Sequence, residues 1–392
     1  MLHSYRARAA AGAAFALTLL APHSVRAQAT IKVNDSISVK IGFLSQTWAD
    51  FTQNVRQDSS YSQDIFQRRM RLLVGANVGS HLSFFFETDN PNLGRTGPNN
   101  GAATGFTRSL GTGFITQDAY AEVKPTTSNA FMIDAGLQLV PLCRNCIGSA
   151  PALLALDYGA YSFLQNGPIG SSAGRDVGFQ AKGYLAENKI EYRAGVFSGA
   201  RLVNSGSATG VQQGSNSLRV AGRLAVELLD AEPMAYSIPE TYLGKRKVLQ
   251  VGVGGDAQGD YKAYSADAFF SYPIGTDGVT LLGTFIHYDG GRFFTALPKQ
   301  NTFEAEAGYH FNTAKITPWV KFETRQFASS VSSIANQDES RFQVGGTYYV
   351  MGNNLNVKAA YTHGSYDRLA LTGALPSLSQ NGFTLQLQAF YY

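Results

Sequence analysis

The sequence predicts an all-β fold, namely a 16-stranded antiparallel transmembrane β-barrel with short periplasmic turns and long extracellular loops. Of its 392 residues, 44% are hydrophobic and only 15% are charged, and they include 41 glycines, 20 tyrosines and 25 phenylalanines. Disordered chains combine low hydrophobicity with high charge, so disorder is excluded. Apart from the N-terminal region, no apolar run reaches the roughly 18 residues that a membrane helix needs.

The strand prediction is based on a repeating alternation of apolar and polar residues. Between Leu218 and Leu228, every second residue is apolar or glycine, and the residues between them include Arg219, Arg223 and Glu227. A period of two places successive side chains on opposite faces of a sheet. Sixteen segments show this character, near residues 36–50, 65–78, 81–89, 114–124, 130–139, 174–185, 189–198, 217–229, 247–255, 263–272, 279–288, 302–311, 316–326, 340–350, 355–363 and 382–392.

The connections between these segments alternate in length. Short ones, such as 79–80, alternate with long ones, such as 90–113 and 140–173; the exceptions are the long 230–246 and the short 256–262. Outer-membrane barrels have short periplasmic turns and longer extracellular loops. They also carry aromatic girdles at both membrane interfaces. The aromatic residues near segment ends that we assign to such girdles are Phe51, Phe66, Phe114, Tyr184, Tyr272, Tyr288, Phe311, Phe327 and Tyr391.

The first 27 residues have the pattern of a secretory signal peptide. Two arginines precede an apolar stretch at 9–21, and Val25 and Ala27 supply small residues before a cleavage point. We therefore predict a signal peptide at 1–27, a barrel at 28–392, and export to the outer membrane of a Gram-negative type of cell. The alternative is a short N-terminal helix of the mature protein. Removing three arginines lowers the net charge from +4 to +1, and a nucleic-acid partner is not indicated.

The chain has two cysteines, Cys143 and Cys146, both within the long connection 140–173. Exported proteins meet an oxidising compartment, so a disulfide is the favoured interpretation. A redox site or half of a zinc site is the alternative, although neither a second cysteine pair nor a histidine cluster accompanies them. No metal or other cofactor is predicted.

Charged residues on the inward face indicate what could pass through the barrel. By strand parity, this face carries ten basic and eleven acidic residues, so net charge does not decide ion selectivity. Arg69 and Arg71 share one strand face, as do Arg219 and Arg223, and guanidinium groups bind oxyanions bidentately. The alternative is that these charges pair across strands and fill the lumen. The residues predicted to line the pore and guide anions are Arg69, Arg71, Arg144, Lys182, Arg219 and Arg223.

Several short motifs resemble the phosphate-selective porins of the O and P type. They are Gln67–Leu72 leading into Gly75, Gln117–Glu122, Met132–Leu139 ending at Pro141, Gly174–Gly178, Tyr192–Gly199 and Arg219–Arg223. The resemblance implies a 16-stranded channel, a homotrimer, and a third long loop folded into the pore. Here that loop is 140–173, which is also the longest connection.

The same loop departs from the phosphate-selective pattern. Members of that family add lysines at the pore mouth and constriction, whereas loop 140–173 holds one base, Arg144, and one acid, Asp157. Its middle, Ala150–Leu156, is apolar and is interpreted as a short helix packed on the wall. Phosphate is therefore one candidate solute among small anions.

The predicted function is passive diffusion of small hydrophilic solutes across an outer membrane, with a bias to anions that could include phosphate. The alternative is a general or neutral-solute porin of the same fold, for instance for small amides. An enzyme is not predicted: His287 and His363 near the outer rim could serve a lipase-like barrel, but no Gly-x-Ser-x-Gly elbow occurs.

Overall fold

The structure is a computed structural model, and it describes most of the predicted barrel. The described residues are 29–53, 60–95, 113–165, 174–200, 217–232, 236–291, 294–331, 337–366, 369–370, 373–374 and 378–392. The predicted signal peptide at 1–27 lies outside them. Within these ranges, no helix has the length and apolar character needed to cross a membrane.

Sixteen long strands form the wall. They are β1 (Ile37–Gln53), β2 (Tyr61–Val78), β3 (Leu82–Asp89), β4 (Ile115–Val123), β5 (Met132–Leu139), β6 (Arg175–Leu185), β7 (Ile190–Phe197), β8 (Arg219–Glu227), β9 (Val248–Gln258), β10 (Tyr261–Ile274), β11 (Asp277–Asp289), β12 (Gln300–His310), β13 (Ile316–Phe327), β14 (Glu339–Tyr349), β15 (Leu355–Tyr366) and β16 (Leu378–Tyr391). A short strand, Ala29–Lys32, pairs with the start of β1. Leu369–Ala370 and Gly373–Ala374 form a small separate ladder.

The sheet closes on itself. Each strand pairs antiparallel with its neighbours in the chain, and β16 pairs with β1 over ten residue pairs, from Gly382↔Thr52 to Tyr391↔Phe43. Closure removes the open edge that would otherwise leave backbone polar groups unpaired in lipid. The predicted 16-stranded antiparallel barrel is confirmed.

The alternating pattern sets the two faces of the wall. In β8, Val220 and Leu224 are exposed on the outside, whereas Arg219 and Arg223 are buried on the inside. In β16, the outward side chains are apolar and the inward ones are Thr384, Gln386 and Gln388. The barrel therefore has an apolar outer surface and a polar lumen.

The structure corrects part of the girdle prediction. Phe66, Tyr184 and Tyr288 point inward and are at most 5% exposed, although all three lie near strand ends. The hydroxyl of Tyr184 donates to the backbone carbonyl of Glu232, and that of Tyr288 donates to the carbonyl of Tyr161. These rings hold chain segments inside the barrel instead of facing its outer surface.

Two connections have lengths that do not match the end of the barrel at which they lie. The tight turn 259–260 lies among the long connections, and the long connection 228–247 lies among the short turns. Both positions follow from the strand order, because successive connections of an up-and-down barrel lie at opposite ends. The short-turn end therefore carries one segment long enough to fold inward.

Candidate functional site

The connection after β5 enters the lumen. Its described part, 140–165, is mostly buried and contains only two short 3-10 turns, Asn145–Ile147 and Ala150–Ala152. The predicted helix over Ala150–Leu156 is thus reduced to one three-residue turn. Leu154 and Leu156 pack beside Trp319 of the wall, which gives this apolar run its partner inside an otherwise polar lumen.

Wall residues of four strands hold this connection. The hydroxyl of Ser265 on β10 donates to the carbonyl of Leu142 at 2.6 Å, and a Cβ at Gly254 on β9 would collide with the same carbonyl. Near the other end, the ammonium of Lys358 on β15 donates to the carbonyl of Leu153 at 2.8 Å, and Lys321 on β13 donates to the carbonyl of Asp157 at 2.9 Å. Asp157 also pairs with Arg69 of β2, which lies eight strands from β10 in the ring of sixteen, so the connection crosses the lumen between opposite walls.

A second segment enters from the short-turn end and meets the first. The Ser149 N–H donates to the Ile238 carbonyl at 2.8 Å, and the Ile238 N–H donates to the Ile147 carbonyl at 2.9 Å. The Glu240 N–H also donates to the Ala152 carbonyl at 3.0 Å. We call the two joined segments, residues 140–165 and 236–242, the lumen strap.

Arg144 lies at the centre of this junction and is fully buried. Its guanidinium donates to both carboxylate oxygens of Glu232, at 2.5 and 2.7 Å, and to the Pro239 carbonyl at 2.8 Å. The ring centre of Phe269 lies 3.6 Å from its Cζ atom. Burial disfavours the cation, but the Glu232 carboxylate outweighs it and raises the pKa of Arg144. Arg144 thus links one half of the strap to the base of the other.

Two acids of the strap region have opposite ionisation behaviour. Burial, reinforced by Glu306 and Glu304, raises the pKa of Glu240 well above its usual value, and its carboxyl accepts from the Asn145 amide at 2.7 Å. Burial also disfavours the charged form of Asp157, but the guanidinium groups of Arg68 and Arg69 outweigh it and lower its pKa. These surroundings favour the neutral form of the Glu240 carboxyl and the charged form of the Asp157 carboxylate.

The predicted anion-guiding residues all lie inside the barrel, but each is bound to a carboxylate. Arg69 pairs with Asp157, and Arg144 pairs with Glu232. The other four contacts are Arg71 to Glu87 at 2.7 Å, Lys182 to Asp134 at 2.7 Å, Arg219 to Asp256 at 2.5 Å and Arg223 to Asp267 at 2.5 Å. These cations line the wall as ion pairs, so they present no row of uncompensated guanidinium groups to a passing anion.

Acidic side chains outnumber basic ones among the buried residues. Among the described residues, ten basic and fourteen acidic side chains are buried. Three of these acids, Glu304, Glu306 and Glu323, surround the single ammonium of Lys321 at 2.8, 3.0 and 3.6 Å. A preference for anions therefore has to come from somewhere other than the paired wall.

A cavity of about 460 Å³ lies on the short-turn side of the strap. Its lining contains four cationic side chains and two acidic ones, namely Lys40, Arg71, Lys124, Arg175, Glu87 and Glu122. Arg71 and Arg175 are paired with buried acids, and Lys124 forms a longer ion pair with Glu122, at 3.5 Å, with its side chain 34% exposed. Within the lining itself, cations thus outnumber acids, whereas acids outnumber cations among the buried residues as a whole.

The two cysteines lie in the buried start of the strap, and their sulfur atoms are 1.92 Å apart, as a disulfide. They pack with Leu142, Tyr261 and Ile286. For the protein purified without reductant, we expect that alkylation without prior reduction modifies neither cysteine, and that alkylation after unfolding and reduction modifies both. Mass spectrometry measures this directly. Modification of the unreduced, unfolded protein would contradict the prediction.

Sequence reasoning placed the six predicted cations in the lumen. It did not identify the residues of the connection 230–246 that contact the segment after β5. Glu232, Tyr236 and Glu240 lie on a connection that the alternation assigns to the short-turn end, where inward folding is not expected. The available signal was the length of 230–246, which is anomalous for that end. Across the described parts of the chain, no group of three or more His, Cys, Asp and Glu side chains could hold a metal ion.

Solved structures share this architecture. The chain is similar to the anion-selective porin from Comamonas acidovorans, at 13% identity and a TM-score of 0.51, covering 91% of this chain and 100% of that one. The fold is that of the outer-membrane porins. The outer membrane channel DcaP of Acinetobacter baumannii has this porin fold too, at 12% identity and a TM-score of 0.55, with coverage of 92% and 99%.

OmpF of Salmonella typhi, solved in complex with daunomycin, is similar to the same extent, at 12% identity and a TM-score of 0.53, again with coverage of 92% and 99%. No protein-family model and no curated protein matches the sequence. The porin fold is therefore shared, and the phosphate-selective O and P family stays a resemblance of short motifs.

Proposed function

We propose that the chain is a passive channel for small hydrophilic solutes in an outer membrane, with a bias to anions. The observation that carries this proposal is the closed 16-stranded barrel with an apolar outside and a polar inside, narrowed by the lumen strap. Barrels of this strand number enclose an aqueous bore in porins, and selectivity then depends on bore width and wall charge.

The cavity on the short-turn side is the proposed source of the anion bias. Its four cationic and two acidic lining residues give it an excess of positive charge. Lys40 and Lys124 are the two lysines among them, and both are only partly buried. The anion-selective porin with the same fold supports the proposal by likeness alone. Phosphate is included as one small anion, supported by the motif resemblance.

A neutral-solute channel is the second candidate, because every predicted guiding cation is paired with a carboxylate. A wall of paired cations and carboxylates attracts neither anions nor cations preferentially. Outer-membrane placement is supported by the exposed apolar side chains of the outer face, such as Val220, Leu224 and Leu387. The signal peptide and the homotrimer remain proposals.

Planar-bilayer recording under a chloride gradient tests the function. We expect discrete current steps and a reversal potential on the anion side, moving toward zero in the Lys40→Gln/Lys124→Gln variant because the cavity then loses its surplus charge. Lys262→Gln is the matched control, since Lys262 is exposed on β10. Absence of current steps would contradict the channel. Current without ion preference in the parent protein would support the neutral-solute candidate, and block by added phosphate would identify phosphate as a bound anion.

A further inference from the structure

The lining of the short-turn cavity is more aromatic than passage of small ions requires. Phe85 of β3, Tyr120 of β4, Tyr236 of the strap and Tyr392 at the end of β16 all line it. In transmembrane barrels the lumen is polar, and aromatic rings concentrate in girdles on the outside. Four rings gathered on the inside therefore need another explanation.

These rings form one contiguous aromatic wall. Tyr120 and Tyr236 stack with centroids 4.5 Å apart and an interplanar angle of 26°. Phe85 contacts both of them, and it meets Tyr392 edge-on at 5.8 Å. Aromatic pairs in offset or edge-to-face geometry contribute about 0.5–1.5 kcal/mol beyond the area they bury, so a further planar ring can be accommodated favourably.

The cavity has the size of a small-molecule site. Its volume of about 460 Å³ lies within the roughly 300–1,000 Å³ of known ligand pockets, which combine apolar walls with a few polar groups. The strap closes one side of it through Tyr236, so a solute that enters from the short-turn end meets the rings before it meets the constriction.

Lys40 supplies a cation at this aromatic wall. Its ammonium lies 4.3 Å from the centre of the Tyr392 ring, and among the described residues it forms no salt bridge. By contrast, the other cations of the lining are paired: Arg71 with Glu87, Arg175 with Asp118, and Lys124 with Glu122. Lys40 is therefore the group available to bind a solute carboxylate.

We propose that this cavity is a binding site for planar aromatic monocarboxylates, with the ring against Phe85 and Tyr392 and the carboxylate on the ammonium of Lys40. As a site for a transported solute, it rests on the proposed channel function. As a binding site, it does not depend on conduction, because all of its parts lie on the barrel wall and the strap.

Calorimetric titration of the detergent-solubilised full-length barrel tests the site independently of conduction. The probes are benzoate, acetate, which lacks the ring, and benzamide, which lacks the charge. We expect benzoate to bind about tenfold more tightly than either, as one aromatic or one ionic contact would give. Equal affinities for the three probes, or no binding of benzoate, would overturn the proposal.

Variants separate the two contacts. Lys40→Gln should abolish the preference for benzoate over benzamide, and Phe85→Leu should reduce the preference for benzoate over acetate. Phe86→Leu is the control, because Phe86 is also a sequence neighbour of Phe85 but is exposed on the outer surface and is not part of the cavity lining. Retained preferences in the Lys40 and Phe85 variants would place the benzoate elsewhere and overturn the assignment. The channel function is tested separately in bilayer recordings, where its failure would appear as an absence of current steps.

Discussion

Replacing Arg144 with methionine is expected to release the strap segment from the lumen and raise single-channel conductance severalfold. The substitution leaves the Glu232 carboxylate buried without its bidentate partner and removes the donor to the Pro239 carbonyl. Breaking one side of a buried ion pair costs about 3–5 kcal/mol. Because Arg144 of the first strap segment holds both Glu232 and the Pro239 carbonyl, the penalty falls on docking of 236–242 against 140–165. Bilayer recordings measure the change.

Two further variants test whether the unpaired Glu232 carboxylate causes the change in conductance. Arg144→Met combined with Glu232→Leu removes both charges, and replacing a whole buried pair by apolar residues is often neutral, so conductance should return toward the parent value. Glu240→Gln is the control and should leave the conductance nearly unchanged. Burial already raises the pKa of Glu240, and its carboxyl oxygen accepts a hydrogen bond from Asn145, which a glutamine oxygen can also accept. An Arg144→Met channel with parental conductance would show that the strap does not set the aperture.

Replacing Lys321 with methionine is expected to give the largest loss of barrel stability. Glu306 is the cross-strand partner of Lys321, and Glu304 lies directly opposite Glu323. The ammonium of Lys321 is within 3.6 Å of all three carboxylates. Without it, like charges face each other in a buried site, and we expect a loss of about 3–5 kcal/mol or more. Urea titration of the folded fraction, followed by heat-modifiable gel mobility, measures this.

Two control variants accompany Lys321→Met: one removes a lysine outside the cluster, and the other also removes two acids of the cluster. Lys262→Met removes an exposed lysine and should leave the urea midpoint unchanged. Adding Glu304→Gln and Glu323→Gln to Lys321→Met should restore most of the lost stability, since the repulsion disappears. If Lys321→Met unfolds at the parental urea concentration, the cluster does not hold the β12–β13 wall as described.

The barrel could be predicted from sequence because lipid and water impose one pattern on every strand. A single alternation, such as that of Val220, Leu224 and their inward neighbours Arg219 and Arg223, fixes both strand and orientation. The same parity put five of the predicted cations inside, and Arg144 was placed there by the expectation that loop 140–173 folds into the pore. It could not reveal their partners, because pairing depends on which strands are neighbours and on side-chain length, as with Arg219 and Asp256.

The lumen strap was harder to predict because its order comes from contacts distant in sequence. Ile238 pairs with backbone groups of Ile147 and Ser149, some ninety residues earlier in the chain. Nothing in the local sequence of 230–246 distinguishes an inward segment from an external loop. Similarly, Phe66, Tyr184 and Tyr288 have the character of girdle residues, and only the segments they touch explain why they face inward.

The junction between Arg144 and Glu232 also constrains how such barrels can be engineered by exchange of loops. A chimera that receives residues 140–173 alone would carry a buried guanidinium into a scaffold that offers no carboxylate from the opposite rim. The transplant unit is therefore discontinuous: both rims have to be exchanged together, including the short-turn segment 228–247. By the same reasoning, we expect a substitution at Arg144 to keep the parental docking of the strap only when it is combined with a matching change at Glu232.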